Sequence, residues 1–423
     1  MDSPNIGLNR QYLNELEKLE CRDATEHGQE PPLVMDKALG STIWDVEGRS
    51  YLDLCAGFGS LPLGHNHPEV VSVVANDLLF LKPPVMQGLG DVHPSVEKVE
   101  FLRILLKLLP RELNKASLAV TGSQAVEIAI KTALLATKGD GIIAIKNGYH
   151  GLDFGALSLN DRPEFTMPFS KWLVSEKVAH VDFGCQSQAI EQAIDMQARQ
   201  GIKTAAIIAE PIQGRGGVHL PPSGWLEELY ALATKKGMLL IFDEVYTGLG
   251  RSGKLTFAHD VPCDLLCLGK AIGGGMPLSA CIGTQAVMDY WPESKGEAIH
   301  TGTFFGHPLA CKVGRLTISL LLREKVIEKS VENGIFLRDL LSEALNSDSR
   351  VEKIRGSGMM NAIEFNVKNL AALVMSKLRE KGVIAIPAGV QGECLSLTPP
   401  LNISRDHLRE AVSKIHEVLS TCV

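Results

Sequence analysis

Between about Leu118 and Pro277, short apolar runs alternate with stretches of helical spacing. The runs Ile142 to Ile145, Thr204 to Ala209, Met238 to Phe242 and Leu265 to Leu268 lead into the polar tips Asn147-Gly148-Tyr149-His150, Glu210, Asp243-Glu244 and Lys270. Strands that alternate with helices predict a mostly parallel sheet covered on both faces. In such a sheet the carboxyl ends of the strands face the crevice where ligands bind. The chain is therefore expected to gather Asp243 and Lys270 at one edge. On these residues alone the two are equally a structural ion pair or two separate handles on a ligand.

Composition narrows the function classes. The 423 residues are 45% hydrophobic, enough for two domains around packed cores. The charge of −7 comes from 42 basic and 49 acidic residues spread without blocks, so no basic footprint for nucleic acid is present. The nine cysteines are scattered, and Cys263 and Cys267 have no second pair at zinc spacing, which predicts free thiols. His65 and His67 lack a third ligand at metal spacing and are expected in a loop. The first twenty residues contain no apolar core of signal-peptide length, and no window approaches the ~18 apolar residues of a membrane span. A cytoplasmic location, with no membrane partner, is the expectation.

The remaining segments read more simply. A small antiparallel meander is expected from Leu33 to Cys55, and a helix from Ser95 to Leu109 with Val96, Val99, Leu102, Leu105, Leu106 and Leu109 in the core. Thr121-Gly122-Ser123 opens a further helix and either caps it or seats a phosphate on its free N–H groups. The stretch Gly248 to Lys254 fits G-x4-G-K, but Leu255 stands where a metal-coordinating hydroxyl belongs and no helix follows, which argues against a nucleotide loop.

Taken together, FDEVYTG (Asp243), LGKAIGGGMP (Lys270), TGS, YHG and GTFFGHPLA resemble the class III aminotransferases, the ω-aminotransferase branch of fold type I pyridoxal-phosphate enzymes. The resemblance runs from about Leu33 to the end. It implies an α/β fold: a large domain with a mostly parallel seven-stranded sheet, and a small α+β domain formed by both chain ends. The expected divisions are 1–85, 86–310 and 311–423. It further implies pyridoxal 5'-phosphate as cofactor, with Lys270 as the Schiff-base lysine and Asp243 as partner of the pyridine nitrogen. Val245 is similar to the residue under the ring, Tyr149 to the aromatic above it, and Gly122 and Ser123 to phosphate ligands. Thr303 is similar to the residue that reaches the phosphate of a neighbouring subunit, so a homodimer is implied.

The chain also departs from the family pattern. Ser396 stands where many members carry the arginine that receives a substrate carboxylate, and Leu152 replaces a second such arginine. Carboxylate binding is therefore expected to be weak, or to rest on another arginine such as Arg215 or Arg251. Glu210 is expected to serve catalysis and to meet a cationic or hydroxylated part of the substrate, while Phe58 and Leu152 suggest an apolar or large acceptor. Tyr246 stands where several members carry Gln. The reaction implied is ping-pong transfer of an amino group between a small amine and a carbonyl. An aminomutase resembling glutamate-1-semialdehyde aminomutase is the alternative, and a cofactor-binding protein without turnover is a third.

Overall fold

A computed structural model describes residues 7–25, 31–78 and 92–421. Its centre is a seven-stranded sheet whose strands run, in spatial order, Leu113–Ala119, Ser279–Thr284, Leu265–Leu268, Leu239–Asp243, Thr204–Ala209, Gly141–Ile145 and Val178–Val181. Only Ser279–Thr284 is antiparallel to its two neighbours; the other pairings are parallel. The strands Gly141–Ile145, Thr204–Ala209 and Leu265–Leu268 are buried at every position, as a sheet covered on both faces requires.

The covering helices carry clear start and stop signals. Thr121 and Gln124 form a reciprocal capping box at the head of Gly122–Thr137. Trp225–Lys236 has Glu227 and Glu228 in its first turn and two lysines in its last, which complements the helix dipole, and it ends on Gly237 in the left-handed region.

Two smaller sheets use the chain ends. Met35–Leu39, Thr42–Asp45 and Ser50–Asp53 form the antiparallel meander, and Val383–Ile384 joins it in parallel to Ser50–Asp53. Val351–Ser357, Met360–Phe365, Cys394–Leu397 and Ile386–Ala388 form the other, packed against the helices Val326–Leu345 and Leu370–Glu380. The amino-terminal meander and the carboxyl-terminal segment thus share one unit. Residues 85 and 86, the expected first boundary, lie outside the described residues.

Three local expectations change. The strand Val178–Val181 was not foreseen. The helix Val96–Leu108 buries Phe101 and Leu105, while Val96 is 72% exposed and Val99 is also open. The helix expected from Val331 begins at Val326, directly after Lys325 in the left-handed region. His65 spends Nε2 on Asp53, 2.8 Å away, and no metal-binding cluster occurs among the described residues. The Gly248 to Lys254 stretch closes as a tight turn through Leu249 N–H to Leu255 O and Gly250 N–H to Lys254 O, and only the short 3-10 turn Phe257–His259 follows it before the next strand, not an α-helix. Eight of the cysteines are described and all are free thiols. No helix among the described residues is long and apolar enough to cross a membrane.

Candidate active site

Four neighbouring strands deliver the site side by side. In spatial order their carboxyl ends carry Lys270, Asp243, Glu210 and the Tyr149-His150 pair. Asp243 is 4% exposed. Its Oδ1 accepts the Val245 N–H at 3.1 Å, and its Oδ2 faces His150 Nδ1 at 2.7 Å. His150 is itself fixed, since its N–H donates to Asn160 Oδ1 and Asn160 Nδ2 donates to the Gly151 carbonyl. Burial opposes a charge on His150, but the Asp243 hydrogen bond and the charges of Asp243 and Glu210 outweigh it and raise its pKa. His150 Nε2 is buried without a partner among the described residues.

Glu210 acts on the backbone. Its Oε1 accepts the Tyr149 N–H and its Oε2 the Gly214 N–H, both at 2.9 Å. One carboxyl group therefore clamps the loop after Gly141–Ile145 to the loop after Thr204–Ala209. Burial, with Asp243 nearby, pushes its pKa up despite His150 and the two N–H donors.

Lys270 follows Leu265–Leu268 by two positions and opens a short 3-10 turn with φ 47°, a conformation that costs a non-glycine residue energy and points to a constrained site. Burial lowers its amine to about 8, against the pull of Asp243 and Glu210. Nζ lies 3.8 Å from the centroid of the Tyr246 ring. No ion pair joins Lys270 to Asp243 among the described residues, so the two charges remain separate handles.

Tyr246 was noted in the sequence only as a departure from Gln, and the structure gives it a place. A Cβ on Gly59 would stand 2.8 Å from its Cε2, and one on Gly214 2.6 Å from its Cδ1, so the ring needs glycine on both sides. Its hydroxyl donates to Thr398 Oγ1 at 3.0 Å. Ser396, on the strand Cys394–Leu397, is buried two positions before Thr398. Arg251 is 1% exposed and spends Nη1 on the carbonyls of Met359 and Pro399. Burial lowers its pKa to about 10.

The opposite end suits a phosphate. The helix Gly122–Thr137 leads away from the site, and its first N–H groups have no intrahelical acceptor. A Cβ on Gly122 would stand 2.6 Å from Val245 Cγ1, so glycine lets Val245 lie against the helix head. Ser123 Oγ accepts the Asp153 N–H at 3.0 Å. An amine for an aldehyde, a carboxylate beside a buried histidine, an aliphatic floor and a helix head together fit pyridoxal phosphate.

At the mouth, Tyr149 packs edge-on against Phe165, with ring centroids 5.9 Å apart. The Arg215 guanidinium lies 4.7 Å from the Tyr149 centroid and 5.4 Å from that of Phe165. Phe58 is 51% and Leu152 52% exposed. Ala56 to Gly59 all have positive φ, and that turn presents Phe58 outward. Thr303 sits in an exposed turn, and no hydrogen bond joins it to the site among the described residues. Sequence reasoning gave no role to His150, Asn160 or Thr398. The adjacency of His150 to the singled-out Tyr149 at a strand tip was the one available signal.

Residues 24–419 match the family described as Aminotransferase class-III. The chain is 36% identical over 390 residues to the acetylornithine aminotransferase of Methanopyrus kandleri, covering 92% of this chain and 94% of that protein. It is 34% identical over 419 residues to the putrescine aminotransferase of Pectobacterium atrosepticum, covering 97% and 87%. The structure superposes on the ornithine aminotransferase of Toxoplasma gondii ME49 with a TM-score of 0.86 at 28% identity, over 98% and 96% of the two chains. With this fold and these residues at the strand ends, the chain belongs to the class III aminotransferases.

Proposed function

We propose that this aminotransferase moves an amino group between a small amine or amino acid and a carbonyl acceptor in two half-reactions, with Lys270 as the covalent attachment point of pyridoxal phosphate. The observation that carries this reading is the lateral order Lys270, Asp243, Glu210, Tyr149-His150 along one sheet edge. When bound, the cofactor supplies an electron sink that makes the proton on an amine-bearing carbon removable.

The chain's own residues do the positioning. Lys270 Nζ, lowered to about 8, is a nucleophile near neutral pH and, once released by substrate, the group that carries the proton. Asp243, steadied by His150 and by the Val245 N–H, offers a fixed acceptor for a ring N–H. The head of Gly122–Thr137, with Ser123, holds a phosphate, and Val245 and Tyr149 confine a flat ring. Glu210 acts through the two loops it clamps, its oxygens accepting the Tyr149 and Gly214 N–H groups. In a homodimer, the exposed Thr303 turn completes the phosphate seat of the neighbouring subunit.

At the Ser396 end of the pocket the side chains Ser396, Thr398 and Tyr246 offer uncharged polar groups, and the nearby Arg251 is buried and anchored to the Met359 and Pro399 carbonyls, which favours substrates that bring no carboxylate there. The relatives include enzymes named for acetylornithine and for putrescine, whose amines lie at the end of a chain. Their being transferases favours intermolecular transfer over an aminomutase. The test is a single-turnover screen: the cofactor-loaded enzyme is mixed with amines, then with carbonyls. Loss of the loaded enzyme's visible absorbance with terminal amines, and its return with carbonyls, is expected. An absorbance that no amine changes would overturn the reading.

A further inference from the structure

Arg215 stands on a loop held from three directions. The Gly214 N–H donates to Glu210, the Arg215 carbonyl accepts the Gly389 N–H at 2.9 Å, and Gln213 pairs with His219 in an isolated antiparallel bridge. Because Glu210 also holds the Tyr149 N–H, the backbone under Arg215 and the backbone under Tyr149 are fixed to one another. The guanidinium then rests on a shelf made by the Tyr149 and Phe165 rings. Such stacking leaves the N–H edges of a guanidinium directed outward, ready for a planar anion.

The neighbouring charges explain why Arg215 is the available one. Arg162 also lies on Phe165, but it is buried and its Nε is paired with Glu164 Oε1 at 2.7 Å. Arg251 is 1% exposed, and although its Nε and Nη2 have no partner among the described residues, its Nη1 is held by the Met359 and Pro399 carbonyls and the group has no open face toward solvent. Arg215 is exposed, and no hydrogen bond or ion pair engages its guanidinium among the described residues. Its stack on Tyr149 sets it beside the strand-end site, and its charge, like that of Arg251, lowers the proton affinity of the Lys270 amine.

Resting on the aminotransferase reading above, we propose that Arg215 is the carboxylate-recognising residue of this enzyme, so that oxo acids and amino acids are seated from the Tyr149 side of the cleft and not from the Ser396 side. Substrates of this class carry a carboxylate that forms a paired hydrogen-bonded contact with the guanidinium edge. Apolar parts of the same molecule meet Phe58 and Leu152.

The test compares three four-carbon acceptors on the amino-loaded enzyme: 2-oxobutanoate, 4-oxobutanoate and butanal. In Arg215→Met, losing a charge-assisted contact is expected to lower the preference for at least one of the two acids over butanal about tenfold or more, read as the ratio of their kcat/KM values, so that an effect shared by all acceptors through Lys270 cancels. Arg215→Lys should fall between the two. A parallel arm measures glutarate binding to the cofactor-loaded enzyme by calorimetry, with about tenfold weaker binding in Arg215→Met expected. Equal losses for acids and butanal, or no change in that preference and in glutarate affinity, would overturn the proposal. So would a wild-type enzyme that neither prefers the acids over butanal nor binds glutarate. A failure of the aminotransferase reading shows up differently, as loaded enzyme that no amine converts, whatever the glutarate result.

Discussion

His150 Nδ1 and Asp243 Oδ2 meet at 2.7 Å, both side chains sealed from solvent, across 93 positions of sequence. The contact decides how the carboxylate presents itself: one oxygen is taken by the imidazole, the other by the Val245 N–H, and the plane of the group is set. Hydrogen bonds to charged groups contribute roughly 1.5–3 kcal/mol, so His150→Phe is expected to slow the first half-reaction about ten- to a hundredfold. It should also weaken cofactor retention, measured by dialysis and absorbance, while far-ultraviolet dichroism stays unchanged. Wild-type rates in the variant would show that the contact is only structural.

The Lys270 amine gives a second prediction. Its pKa near 8 means that the neutral, nucleophilic form is the minority below that pH and the majority above it. Capture of pyridoxal phosphate by cofactor-free enzyme should therefore accelerate as pH rises to about 8 and then level off. The Tyr246 ring face, 3.8 Å from Nζ, favours the ammonium form. Removing it in Tyr246→Leu is expected to move the midpoint down by roughly 0.5–1 unit, the equivalent of a modest cation–π contact. Stopped-flow capture rates across pH measure this directly.

Glu244, adjacent to Asp243, points away from chemistry. It is buried, accepts the Phe257 N–H at 2.6 Å and the Thr247 hydroxyl at 3.1 Å, and is raised by burial to about 8. A carboxyl whose folded pKa is raised contributes stability that is fully present below its unfolded value and lost as pH rises through about 8. Thermal stability should decline over that window in the wild type. In Glu244→Gln, which cannot ionise, the decline should be shallower. Parallel curves for the two proteins would remove Glu244 as the cause.

Close packing inside the carboxyl-terminal unit, of the helix Val326–Leu345 against the turn that joins Val351–Ser357 to Met360–Phe365, makes a fourth prediction. A Cβ on Gly334 would stand 1.8 Å from the Gly358 carbonyl oxygen, a backbone atom that cannot swing aside. Gly334→Ala, although favourable for an isolated helix, is expected to cost about 1–3 kcal/mol through overpacking, read as a lowered denaturation midpoint.

These features were unequally legible in the sequence. The strands Thr204–Ala209 and Leu265–Leu268 announced themselves because both faces are buried and every position is apolar or small. Val178–Val181 did not, because it is an edge strand with only Val181 fully buried and His180 in its middle. Asp243 and Lys270 were readable as charges at strand ends. Glu210 was readable as a site residue, but its grip on two backbone N–H groups was not, because N–H donors carry no sequence signature. Val96 and Val99 illustrate the opposite error: their spacing is right for a core face, yet both stay exposed in the first turn of the helix.

The central claim is that Lys270 is the covalent attachment point of the cofactor. Borohydride reduction of the enzyme loaded with pyridoxal phosphate, followed by peptide mass analysis, tests it most directly. The account predicts a single stable adduct on the peptide containing Lys270, and none in Lys270→Ala. An adduct on another lysine, or one that persists at the site in Lys270→Ala, would contradict it.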